Sequence, residues 1–245
     1  TYPSSPLAAK ARAIAGELEK EIDVTAQGGV KLGGKLVTAT ERQADKVEIN
    51  ARVLESSIRA HAKNSQWVLA LRDFVKLEAE YSNTAPFKDV LPFARKVIQQ
   101  YNAQLIESAA GLPKRLADRK VGLERMSSED RNASNRAIAE VDEAAAKKAA
   151  EEKAAGIKWT TPDDFNKTSL DEAIRYSDQE LKRLENLRTD AKVDAGKAWR
   201  DAWSAIQGSD AKGVVTALSE ARAARLSNDL IAELETLAKK AGHMK

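Results

Sequence analysis

The sequence contains no cysteine, which excludes disulfide bonds, thiolate metal sites and a cysteine nucleophile. Histidine is nearly as scarce: His61 and His243 are the only two, too few for a histidine-rich metal or catalytic site. No apolar run approaches the roughly 18 residues that a helix needs to cross a bilayer. We therefore expect no membrane-spanning segment.

Aromatic residues make up only 5% of the chain, whereas charged residues make up 31%. This profile is typical of long solvated helices and argues against a sandwich or a doubly wound sheet. The 40 basic and 37 acidic residues are interspersed and leave a net charge of only +3. Such mixed charge favours solvated helix faces, so we expect no nucleic-acid partner.

Catalytic patterns are missing as well. The carboxylate pairs Glu151/Glu152 and Asp163/Asp164 are interpreted as solvated charges or helix caps rather than an acid and base. The glycine-rich segment 27–35 matches no nucleotide-binding fingerprint and is interpreted as a flexible connector. We therefore predict that the chain is not an enzyme and binds no cofactor or metal.

The sequence predicts an all-α fold. We expect an elongated bundle of long kinked helices that form helical hairpins, with no sheet. Its centre is a helix over 131–155, capped by Ser127 or Ser128 and ended by Gly156. After a turn, Thr168 or Ser169 caps a second helix, whose apolar stripe continues through Val193 to Trp199, Trp203 and Ile206.

Three regions are predicted. Residues 1–85 form an N-terminal helical segment, with a helix over 7–22 and a long helix over 38–81 that Thr38 or Thr40 caps. Residues 86–207 form a kinked three-helix-bundle module, whose first helix ends at a break over 109–113 before a basic helix over 114–125. Residues 208–245 carry two short helices, over 212–225 and 228–240.

Two short motifs carry a family resemblance. The string IESAAGLP at 106–113, a charged helix and the string KWTTPDDF at 158–165 resemble the kinked three-helix-bundle module of the S-type pyocins, over roughly 86–206. In that family an Ala-Gly-Leu-Pro break ends one helix, and an aromatic-Thr-x-x-Asp-Phe turn opens the last.

The resemblance implies the receptor-binding and translocation portion of a secreted colicin-like bacteriocin, acting at the outer membrane of target bacteria. Its partners would be the common polysaccharide antigen of lipopolysaccharide and an outer-membrane receptor. Neither the apolar hairpin of a pore-forming domain nor the histidine-rich motif of a nuclease is present, so we expect no cytotoxic part in this chain. We also expect the chain to be a monomer.

Candidate polysaccharide-binding residues lie in the turn and in the basic segment. A flat indole flanked by hydroxyl and carboxylate groups suits stacking and hydrogen bonding to sugars, and a fully buried indole fits a polar turn poorly. The candidates are Trp159, Thr160, Asp163, Asp164, Lys114 and Arg115. In the alternative, Trp159 and Phe165 staple the turn onto the bundle; Trp199 and Trp203 are predicted to be core residues.

A different function remains open beside this one. Long apolar seams are also typical of a structural coiled-coil or adaptor protein that pairs with partner helices. A pore-forming helical toxin is disfavoured, because the sequence lacks a long apolar segment.

Overall fold

The computed structural model describes residues 6–189, 194–208 and 211–244. Helices account for 79% of the described residues, which confirms the all-α class. The described residues form ten helices and one small hairpin: α1 Pro6–Ala26, β1 Val30–Leu32, β2 Lys35–Val37, α2 Ala39–Ala44, α3 Lys46–Lys63, α4 Trp67–Tyr81, α5 Ala85–Glu124, α6 Ser128–Ala154, α7 Lys167–Glu185, α8 Ala195–Gln207, α9 Ala211–Ala223 and α10 Asn228–Lys240.

The chain divides into two compact units. Unit 1 comprises Thr1–Ser57, Lys76–Asp89 and Thr189–Lys245, and unit 2 comprises Ile58–Val75 and Val90–Arg188. Helices α3, α4 and α5 each contribute residues to both units. Helix α8, which the sequence analysis groups with the middle module, belongs to unit 1 and contacts α9.

The core of unit 1 is centred on α8, where the predicted burial of Trp199 is confirmed. Its ring is completely buried, and its indole Nε1 donates a hydrogen bond to the carbonyl of Gln43 at 3.0 Å. A buried indole needs such a partner for its N–H group. Trp203, one turn later, is only half-buried. Other buried apolar residues of unit 1 include Val47, Leu77, Ile206, Val214, Leu218 and Leu234.

The glycine-rich segment is a β-hairpin, so the predictions of a flexible connector and of no sheet are wrong. Val30 pairs with Val37, and Leu32 pairs with Lys35, in antiparallel register. The loop between the strands is Gly33 and Gly34, with φ of 55° and 82°. Two consecutive positive φ values match the type I′ turn, which twists with the strands and favours glycine. The Gly33-Gly34 dipeptide, which stands between the short segments Val30–Leu32 and Lys35–Val37, was an available sequence signal for this hairpin.

The single long helix predicted over 38–81 is three helices, α2, α3 and α4. Thr38 does cap the start, in a capping box with Glu41. The break between α3 and α4 falls at Ser65, whose φ is +56°. The amide of Ser65 donates to the carbonyl of Ala62 at 3.0 Å, and the amide of Gln66 donates to the carbonyl of His61 at 2.9 Å. These two bonds form a Schellman motif, which satisfies the last carbonyls of α3 and ends the helix.

Replacing Ser65 by glycine is expected to stabilise the protein by about 0.5 kcal/mol. A side chain costs about 1–2 kcal/mol at a left-handed position, and the greater entropy of glycine in the unfolded chain offsets part of that gain. Chemical denaturation would measure the difference. The matched control is Ala60→Gly at an exposed interior position of α3, which should cost about 1 kcal/mol. A loss of stability in Ser65→Gly would contradict the assignment.

Helix α5 is continuous from Ala85 to Glu124, so the predicted break at 109–113 is wrong. Pro92 and Pro113 both lie inside the helix. Each proline removes one backbone donor, yet the helix persists, and Leu112 is buried beside Pro113. The local propensity for a break is therefore overridden where the side chain of Leu112 packs into the core.

The predicted ends of α6 are confirmed, but those of the following helix are not. Ser127 caps α6, and Gly156 follows it with φ of +70°. Helix α7 is capped by Asn166 rather than by Thr168 or Ser169, and it ends at Glu185 instead of continuing to Ile206. Asp194 then caps the separate helix α8. Val193, part of the predicted stripe, lies outside the described residues. The two predicted C-terminal helices are confirmed as α9 and α10.

Candidate functional site

The turn over 157–166 joins α6 to α7 within unit 2, and both of its ends are fixed by backbone geometry. At the first end, the amide of Gly156 donates to the carbonyl of Lys153 at 3.1 Å, and the amide of Ile157 donates to the backbone carbonyl of Glu152 at 2.9 Å. At the other end, the side-chain oxygen of Asn166 accepts from the amide of Ser169 at 3.1 Å. The turn is therefore a defined structure rather than a loose loop.

A buried ion pair anchors the middle of the turn. Arg72, on α4, donates to a carboxylate oxygen of Glu152 at 2.7 Å and to the carbonyl of Trp159 at 2.8 Å. The other carboxylate oxygen of Glu152 accepts from the amide of Thr161 at 2.7 Å. Glu152 is only 7% exposed. The interpretation of this residue as a solvated charge is therefore wrong, because the turn folds over it.

The charge of Glu152 is stabilised despite its position. Burial by itself raises the pKa of this carboxyl, but the hydrogen bond from Thr161 and the guanidinium of Arg72 outweigh that effect. The net result is a pKa below the ordinary value of 4.5. Glu152 therefore remains ionised at neutral pH and continues to hold the turn.

Trp159 is only 3% exposed, which contradicts the expectation that the turn would leave its indole accessible. Its ring packs edge-on against Tyr176, with centroids 4.8 Å apart, and against Tyr101 at 6.2 Å. Such edge-to-face pairs stabilise beyond the area that they bury. The indole thus fastens the turn to α5 and α7, and in this conformation its faces are covered.

A groove of about 520 Å³ lies beside this aromatic cluster. It is lined by the half-buried Thr160 and Tyr176 and by the exposed Lys158, Glu172 and Arg175. Tyr101 also lines it, and its buried hydroxyl has no hydrogen-bond partner among the described residues. Burial raises the pKa of Tyr101 to about 12, so the phenol keeps its proton and remains a donor. We call this the turn groove.

The predicted site residues are divided among different surroundings. Trp159 and Thr160 line the turn groove. Asp164 instead accepts from the hydroxyl of Ser108 at 2.7 Å, and its carbonyl accepts from Arg115 at 2.6 Å. Asp163 accepts from the amide of Phe165 at 2.9 Å and shapes the turn. Lys114 is exposed on α5 and does not line the turn groove.

Phe165 holds the other side of the turn against α5. It is 39% exposed, and the guanidinium of Arg119 lies 3.6 Å from its ring centroid. This is a cation–π contact, which contributes about 0.5–1 kcal/mol at a partly exposed site. Trp159 and Phe165 therefore both fasten the turn, in agreement with the alternative interpretation of these residues.

Three residues of this site were missed by the sequence analysis: Arg72, Tyr101 and Tyr176. Arg72 is 80 residues from Glu152 in the chain, and no local pattern links the two. The two tyrosines read as ordinary helix residues. A basic residue within an apolar helical stripe was the only available signal for Arg72.

The described residues contain no group of three or more side chains that could hold a metal ion. None of the described helices is both long enough and apolar enough to cross a membrane. Comparison with known proteins found no matching family model, no similar curated protein and no similar solved structure.

Proposed function

We propose that this chain is a binding module for bacterial surface polysaccharide, in the receptor-binding and translocation portion of a bacteriocin. The turn groove is the proposed site, and the common antigen of lipopolysaccharide is the proposed ligand. The observation that carries the proposal is a groove lined by both polar and apolar groups, built on a rigid turn next to an aromatic cluster. The S-type pyocin resemblance of the same turn supports the choice of ligand.

The chemistry of the turn groove suits a sugar. Sugars present dense hydroxyl groups that both donate and accept, so a site for them needs mixed polar side chains. Thr160 supplies a hydroxyl, Glu172 an acceptor, and Lys158 and Arg175 supply donors. Because Tyr176 is half-buried, part of its surface is available for contact with the apolar face of a sugar ring.

The rigid turn lowers the free-energy cost of binding a ligand in this groove. Ordering a loop on binding costs free energy, and a preorganised site avoids that cost. The pair of Arg72 and Glu152, together with buried Trp159, holds the groove wall before any ligand arrives. Trp159 is thus proposed as a positioning residue rather than as a stacking surface.

Calorimetry with purified common-antigen polysaccharide tests the proposal. Replacing Arg175 by alanine should weaken binding about tenfold, equivalent to about 1.4 kcal/mol, because a direct donor to the ligand is lost. The matched control is Lys114→Ala, which removes an exposed cation outside the groove and should leave the affinity unchanged. Polysaccharide from a strain that lacks the common antigen should not bind.

The opposite outcomes lead to other conclusions. Weaker binding only in Lys114→Ala would place the site on the basic segment 114–125. Equal binding to both polysaccharides, or binding to neither, would contradict the proposal and favour the adaptor hypothesis, in which helix faces bind partner helices.

A further inference from the structure

Helix α1 carries an apolar stripe that the rest of its unit does not cover. The helix lies wholly within the described residues, and none of its residues is buried. Leu7, Ile14, Leu18 and Ile22 are 78%, 48%, 51% and 64% exposed. Together with Ala11 they recur at three- and four-residue spacing on one side of the helix. A stripe of this kind is a surface for another helix.

The charges of α1 are segregated along its length. Residues 6–16 carry Lys10 and Arg12 and no acidic residue. Residues 17–26 carry Lys20 together with four acidic residues, Glu17, Glu19, Glu21 and Asp23. The helix is thus basic in its first half and acidic in its second. Two copies of the helix that run in opposite directions would therefore place each basic half beside an acidic half.

We propose that α1 pairs antiparallel with α1 of a second copy of this chain, about a twofold axis passing between Ile14 and Ala15. In this register Leu7 lies opposite Ile22 of the second copy, and Ala11 lies opposite Leu18. The two central Ile14 side chains meet next to the axis. The interface is isologous, because the same patch serves both copies. This inference does not depend on the proposed function.

The flanking charges favour the antiparallel orientation. On one edge of the stripe, Lys10 lies close to Glu17 of the second copy; on the other edge, Arg12 lies close to Glu19. A parallel pairing would instead align basic halves with basic halves and acidic halves with acidic halves. Opposite charges beside an apolar helix seam set partner orientation in coiled coils, and antiparallel helix dipoles also favour this arrangement.

The length of the helix limits the strength of the dimer. Helix α1 has 21 residues, so it spans roughly 30 Å. One pair of such helices approaches only the low end of specific interfaces, about 1,000 Å². The dimer is therefore weak, and its population depends on protein concentration.

Sedimentation equilibrium on the full chain tests the pairing. The average mass should rise from 26.7 kDa toward twice that value as the concentration increases. The K10E/R12E variant should remain monomeric over the same range, because every flanking charge is then acidic. The E17K/E19K variant should also remain monomeric, because Lys10 and Arg12 then face the two introduced lysines of the second copy instead of glutamates. An equimolar mixture of the two variants should associate about as strongly as the native chain, because pairing the two different variants restores the same four opposite-charge contacts.

The mixture separates loss of the interface from loss of the helix, since two unfolded α1 segments would not rescue each other. The control variant is K147E/K148E, which makes the same charge change on an exposed face of α6 and should dimerise like the native chain. A native chain that is monomeric at all concentrations would overturn the proposal. So would variants that dimerise normally, or a mixture that shows no association.

Discussion

Replacing Trp159 by alanine is expected to destabilise unit 2 by about 3–5 kcal/mol, the cost of removing a large buried aromatic side chain. The indole is 3% exposed and contacts two tyrosine rings from different helices, so its loss leaves a cavity that the rigid turn cannot close. The melting temperature should fall by roughly 10 °C, which differential scanning calorimetry would measure.

The matched control for this prediction is Phe165→Ala in the same turn. Phe165 is much more exposed, and its main contact is the cation–π pair with Arg119, so the loss should be near 1 kcal/mol. An unchanged melting temperature in Trp159→Ala would contradict the role of the indole as a packing staple. If polysaccharide binding were lost at that unchanged temperature, the indole itself would be the stacking surface after all.

Affinity provides a second readout for Trp159. At a temperature where Trp159→Ala is still folded, the polar side chains that line the turn groove are still present. Polysaccharide affinity should therefore fall only to the extent that the turn has become less well ordered. A positioning residue therefore changes stability first and affinity second. A contact residue such as Arg175 should show the reverse order, with affinity lost and stability retained.

Local signals explain which parts of the fold could be predicted from the sequence. Thr38, Ser127 and Gly156 act on backbone groups within a few residues of themselves, and all three were correctly assigned as helix ends. The errors arose where a helix end lacked its usual residue. Ser65 occupies a left-handed position normally taken by glycine, so the end of α3 left no glycine signal.

The converse error occurred at Pro113. The Ala-Gly-Leu-Pro string has the local chemistry of a helix break, yet α5 runs through it because Leu112 is buried there. Burial is a property of the folded unit and cannot be read from four residues. The candidate site shows the same division: the turn was identified from its sequence, but the partners that hold it come from distant helices.

Replacing Arg72 by methionine is expected to cost about 3 kcal/mol at neutral pH. The side chain of Glu152 is 8% exposed, and without Arg72 its carboxylate would remain buried with only Thr161 as a partner. Removing one member of a buried ion pair costs about 3–5 kcal/mol; the 27% exposure of Arg72 favours the lower end. Chemical denaturation at pH 7 would measure this loss.

The double variant Arg72→Met/Glu152→Met provides the matched control. It removes both charges and leaves apolar side chains of similar volume, an exchange that is often neutral or stabilising for buried pairs. Most of the stability lost in the single variant should therefore return. A double variant as unstable as Arg72→Met would show that the effect comes from the lost hydrogen bonds of the turn, from Arg72 to the carbonyl of Trp159 and from the amide of Thr161 to Glu152, rather than from the stranded carboxylate.

The pH dependence distinguishes the charge from the packing. Because the folded pKa of Glu152 lies below 4.5, the unfolded chain binds this proton more readily. The contribution of the pair is fully present above pH 4.5 and is lost as the pH falls through the folded pKa. In Arg72→Met, the lowering effect of the guanidinium is lost, so the pKa of Glu152 rises relative to the native chain and this carboxyl is protonated at higher pH. The difference in stability between the native chain and Arg72→Met should therefore shrink on acidification. A difference that stays constant from pH 7 to acid would mean that Arg72 acts by packing alone.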